Sequence, residues 1–148
     1  MGVLVLPVAS RALLEACQRL GIAPGRLLRE AGLPPGALQD PDARLPAAQA
    51  DAIWQAAFQA ARRPALARQA AEATPFGAFR GLDYLGATGP TLGHGLRLMA
   101  GYFPLIDPRG QLTVEEGRDR VALHFASTET GEGASLPQPA QEYTLAVI

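Results

Sequence analysis

The chain has 148 residues, of which 48% are hydrophobic and 18% charged, and its formal net charge is −1. That length suits a single domain able to bury a core, and that composition excludes a disordered chain. The near-neutral balance argues against a nucleic-acid binder, which needs a basic face, and no apolar run approaches the roughly eighteen residues of a membrane span.

The opening "MGVLVLPVAS" is apolar but short and has no basic n-region, so it reads as a strand or arm packed on the body rather than a signal peptide. Ser10 is the expected cap of a helix over residues 10–20, with Leu13, Leu14, Cys17 and Leu20 on one side and Gly21 closing it. Cys17, the single cysteine, reads as a buried, inert thiol. It points to a reducing, cytoplasmic compartment. "APGRLLREAGLPP" then predicts a short helix bearing Leu27, Leu28 and Ala31, stopped by Gly32 and the Pro34-Pro35 pair. Two short helices around a glycine turn have the outline of a helix-turn-helix. Arg26, Arg29 and Glu30 are too few polar side chains for a recognition helix, so these helices are expected to pack.

"LQDPDARLP", residues 38–46, reads as a loop with a turn at Asp40-Pro41. Ala50, Ile53, Trp54, Ala57, Phe58 and Ala61 then make a clean helical stripe. Trp54 belongs to that stripe first, and is also a candidate wall of a ligand pocket. Further helices are predicted near 64–73, from Pro64, and near 77–87, where Phe79, Leu82 and Leu85 share a face and Asp83 is spaced to pair with Arg80.

"LGATGPTLGHGLRLM", residues 85–99, has the glycines of a phosphate loop without its other parts. A Walker loop needs a lysine, and all thirteen basic residues here are arginine. A dinucleotide fingerprint would need glycine at Leu98 and a strand beforehand. The stretch therefore reads as a turn between helices. Either Pro90 opens the second helix behind Gly89, or Thr91 caps it. Leu92, Leu96, Met99, Ala100 and Phe103 form its apolar stripe, and Pro104 ends it.

The period then changes. Leu112 and Val114 alternate with polar neighbours, as do Val121, Leu123 and Phe125, which predicts an antiparallel hairpin turning through "EGRD". "STETGEGASLPQ" reads as a flexible polar loop, and "PAQEYTLAVI" as a helix that has just begun, with Tyr143, Ala146 and Val147 on one side. Its stop without a cap is what a fragment of a longer protein would show. The expected fold class is α+β, with several packed α-helices against a small antiparallel β-sheet.

Catalytic chemistry finds no footing in these residues. His94 and His124 have no partners at metal-ligand spacing, and Ser10, Ser127 and Ser135 lie in no nucleophile elbow. No enzyme, metal site or cofactor is expected. A ligand site is better supported. Arg80, Tyr84, Arg97 and Tyr102 cluster in segment 77–104, and arginine clamps carboxylates bidentately. With Trp54 they are the candidate ligand-binding residues, although Arg80, Tyr84, Arg97 and Tyr102 read more readily as surface residues covering helix flanks.

Read in order, "LLEACQRLGIAPGRLLREAGLPPGALQDPDARLP", "ADAIWQAAFQAA", "FGAFRGLDYLGATGPTLGHGLRLMAGYFPLI" and "LTVEEGRDRVALHF" resemble the N-terminal effector domain of one branch of AraC-type transcription regulators, the arabinose-binding-like domain. The resemblance runs from about residue 10 onward, and "DPDARLP" and "DYLGATGPTLG" are its specific parts. His94 stands where the family usually has an acidic residue in the first turn of the "PTLG" helix. The resemblance implies a single N-terminal effector-binding and dimerisation domain over residues 1–148, truncated, with the helix-turn-helix domain absent. Implied partners are an unknown small-molecule effector, a second copy as homodimer, and promoter DNA through the missing domain alone; no membrane is implied. The competing expectation is a stand-alone helical interaction module without a ligand.

Overall fold

The structure, a computed structural model, describes residues 2–40, 42–127 and 136–148. The predicted flexible stretch after Ser127 falls largely outside these residues, as does Pro41 of the predicted Asp40-Pro41 turn. The described chain is α+β, with seven α-helices and two small two-stranded antiparallel sheets. It divides into two compact units, Met1–Thr74 with Pro137–Ile148, and Pro75–Leu136.

In the first unit β1 (Leu4–Val5) pairs antiparallel with β2 (Leu45–Pro46), Leu4 opposite Pro46 and Val5 opposite Leu45. The apolar N-terminal arm is thus a strand. It leads into α1 (Val8–Arg19), followed by α2 (Pro24–Glu30), α3 (Ala47–Ala61) and α4 (Leu66–Ala73); the last helix of the chain, Gln138–Val147, closes the unit. Helix α4 packs against both α1 and that last helix. Its buried residues are Leu66, Ala67, Ala70 and Ala71, mostly small side chains that let neighbours approach closely. Leu13, Cys17, Leu27, Ile53 and Leu66 are fully enclosed. Burying each leucine or isoleucine contributes about 1.5–3 kcal/mol relative to exposure.

Ser10 is not the cap of α1. The helix starts earlier, after Pro7, whose carbonyl accepts the first turn's bond from the Arg11 N–H at 2.9 Å. Starting there sends Val8 into the core and leaves Ser10 buried inside the first turn. The helix ends, in contrast, follow the glycines. Gly21 and Gly32 take φ of +79° and +73°. The N–H of Ile22 donates to the Cys17 carbonyl at 2.9 Å, and that of Leu33 to the Leu28 carbonyl at 2.8 Å. Each pair is a Schellman stop, which needs a residue free of Cβ at the left-handed position. Leu27 and Leu28 are buried, so α2 packs as expected.

The last helix buries Ala140, Tyr143 and Thr144, while Ala146, expected beside Tyr143, is exposed. The Tyr143 ring lies 5.4 Å from that of Trp54, and its hydroxyl shares a 2.9 Å hydrogen bond with Thr74 Oγ1. The Thr74 hydroxyl also donates to the Ala70 carbonyl at 2.9 Å. A buried phenol is tolerable because its polar end is satisfied in this way.

The second unit contains α5 (Gly81–Ala87), α6 (Leu92–Tyr102), a 3₁₀ turn (Phe103–Leu105) and the hairpin of β3 (Gly110–Glu116) with β4 (Val121–Ser127); the last helix of the first unit is thus α7. The register runs from Gly110 opposite Ser127 to Glu116 opposite Val121. The Gly117 N–H donates to the Arg120 carbonyl at 2.8 Å across the turn. Antiparallel alternation then places Ala122, His124 and Ala126 in hydrogen-bonded pairs with β3, and directs the backbone groups of Val121, Leu123 and Phe125 away from it. Helix α6 packs on β3, and Phe103 meets Phe125 edge-on at 5.8 Å.

One predicted helix start in this unit moves, and a choice left open at another is decided. The helix expected at 77 begins at Gly81, because Gly77 and Arg80 take φ of +90° and +56°, outside the helical region. The later of the two starts considered for α6 is the one adopted. Thr91 caps it, its Oγ1 accepting from the His94 N–H at 3.2 Å. Of the expected stripe on α6, Phe103 is buried, Leu96, Met99 and Ala100 partly so, and Leu92 stands in solvent.

Candidate functional site

The segment 75–102 is shaped by its glycines and by Asp83. A Cβ on Gly95 would strike the backbone carbonyl of Gly86, and one on Gly89 would strike the backbone of Gly95. Helices α5 and α6 therefore meet backbone to backbone. A Cβ on Gly93 would meet the Glu116 carboxylate. The glycine-rich stretch is a packing device.

Asp83, in the first turn of α5, accepts from the N–H of Gly77 at 2.7 Å and of Phe79 at 3.0 Å through one carboxylate oxygen. Those two bonds, not the i,i+3 spacing to Arg80, set the position of the carboxylate. They hold the loop before α5 in a conformation where Arg80, at φ +56° and ψ −126°, sits in a region L-residues avoid. Such a backbone costs on the order of 1–3 kcal/mol and persists where its surroundings fix it.

Arg80, Tyr84, Arg97 and Tyr102 all lie in the Pro75–Leu136 unit and all are exposed. Tyr84 packs edge-on against Phe76 at 5.1 Å, and that ring pair is open to solvent on both members. Arg97 forms an ion pair with Glu116 at the end of β3, with the two side chains 52% and 46% exposed. At that exposure the pair contributes about 0–1 kcal/mol. Trp54 lies in the other unit, 3% exposed, between Phe58 and Tyr143.

A buried ion pair of the second unit was not anticipated from the sequence. Arg109 is 3% exposed and its guanidinium forks onto Asp107, Nε to Oδ1 at 3.1 Å and Nη2 to Oδ2 at 2.9 Å. Its backbone N–H donates to the same Oδ1 at 3.0 Å. Removing Arg109 from such a buried pair costs about 3–5 kcal/mol, because the Asp107 carboxylate is left charged and enclosed. The readable signal was the Asp-Pro-Arg-Gly turn that leads into β3, where Asp precedes Pro. Nothing local predicted that the arginine would be buried.

His124 Nε2 stands 3.2 Å from Glu115 Oε2 on the exposed face of the hairpin, a diagonal cross-strand pair. Among the described residues no three His, Cys, Asp or Glu side chains gather as a metal site would require. Burial pushes the Cys17 thiol from its ordinary value near 9 up to about 11, which keeps it protonated and unreactive.

The model of the N-terminal arabinose-binding domain of AraC transcription regulators matches residues 21–148. The chain belongs to that family. The match takes in α2 through α7 and both strands of the hairpin, and it begins just after α1. Comparison with curated proteins finds no match. The AraC-type domain is a non-enzymatic one. No helix among its described residues is long and apolar enough to cross a membrane.

Proposed function

We propose that this domain senses a small molecule and dimerises, and in doing so controls DNA binding by a helix-turn-helix domain of the same cytoplasmic regulator. The observation that carries the reading is the family match over residues 21–148. The effector contacts are drawn from Arg80, Tyr84, Arg97 and Tyr102, four exposed side chains of one compact unit. Arginines suit an anionic effector, and the Arg97–Glu116 pair is exposed enough that a ligand carboxylate taking the place of Glu116 forfeits little. Trp54 stands apart in this proposal, since so little of its surface is open to a ligand. The response is a population shift, its size set by the difference in effector affinity between the two arrangements of the regulator.

Thermal unfolding across amino acids, sugars, organic acids and acyl compounds tests the proposal. A ligand at 100 times its Kd adds about 2.7 kcal/mol. Arg80→Ala and Arg97→Ala should each keep the fold and lose that stabilisation. If both variants retain it in full, neither arginine is at the site. The exposed ring pair of Phe76 and Tyr84 favours a second reading, a protein-interaction module without a ligand. Silence across the whole screen would support that module over the sensor. Dimerisation is checked separately by light scattering on the eluting protein, where a monomer at high concentration would remove it from the proposal.

A further inference from the structure

We draw no further inference here: the strongest candidate, the outer backbone edge of β4 (Val121–Ser127), pairs among the described residues with β3 alone, and nothing in the structure shows what covers it.

Discussion

Gly95→Ala sets helix propensity against tertiary packing. Alanine is favoured over glycine inside a helix by about 0.8–1.0 kcal/mol, so propensity alone makes the change stabilising. In the structure the new methyl would stand 3.0 Å from the Gly86 carbonyl carbon and closer still to its oxygen. Both are backbone atoms of α5 and cannot rotate aside. Relief requires α5 and α6 to separate, and overpacking of this kind costs about 1–3 kcal/mol or more. The net expectation is a loss of up to about 2 kcal/mol, at most roughly 4–8 °C in melting temperature for a chain of this size. Gly101→Ala is the control on the same helix, since nothing lies within 4 Å of its Cβ position. It should be neutral or stabilise by up to about 1 kcal/mol. Because Trp54 reports on the first unit, unfolding in urea is followed by far-UV circular dichroism, which reports on the helices of both units, comparing midpoints at constant slope. Equal or higher stability of Gly95→Ala, or shifts of the same sign for both variants, would refute the close approach of the two helices.

Other expectations follow the same lines. Tyr143→Phe removes the hydroxyl bonded to Thr74 and should cost about 1 kcal/mol, read by Trp54 fluorescence because the rings lie 5.4 Å apart; an unchanged midpoint would mean the bond contributes nothing. Cys17 titrates near 9 when exposed and near 11 when folded, so between those values the unfolded chain holds fewer protons and stability falls as pH rises. The loss amounts to about 2 kcal/mol by pH 11 and should be missing from Cys17→Ala; parallel pH profiles for the two proteins would contradict the buried thiol. On β4, Val121→Pro should cost little more than its lost side-chain contacts, because its N–H points away from β3. Ala122→Pro removes a ladder donor and leaves its acceptor on β3 unpaired, and should cost about 1–3 kcal/mol more. Equal losses at the two positions would show that the hairpin register is wrong.

Local chemistry made much of the chain legible. The 3.6-residue spacing of Ala50, Ile53, Trp54 and Ala57 marked the buried face of α3, and the alternation around Leu112 and Phe125 marked the hairpin. Gly21 and Gly32 announced helix ends because a left-handed residue is a backbone requirement that sequence displays directly. Starts were harder to read. Pro7 displaced Ser10, and the Asp83 carboxylate drew Gly77 and Phe79 out of the helix, since a cap competes with whatever burial or hydrogen bonding a shifted start allows. Of the candidate ligand residues, segment 77–104 placed Arg80, Tyr84, Arg97 and Tyr102 in one unit, because they are near in sequence. Their exposure, and the carboxylate that Arg97 meets 19 residues away, are not properties of the segment.

The sequence by itself determined the fold class, the family, the helical and strand faces, and the absence of a lysine-bearing phosphate loop. Each is set by residue type and short spacing, which act before the chain has folded. The tertiary structure decided how the glycines of 86–95 are used, which arginine is buried on Asp107, and how the Tyr143 hydroxyl is satisfied by Thr74. Such pairings depend on which backbones approach and which charges leave water, and those are settled when segments with no common local pattern pack together.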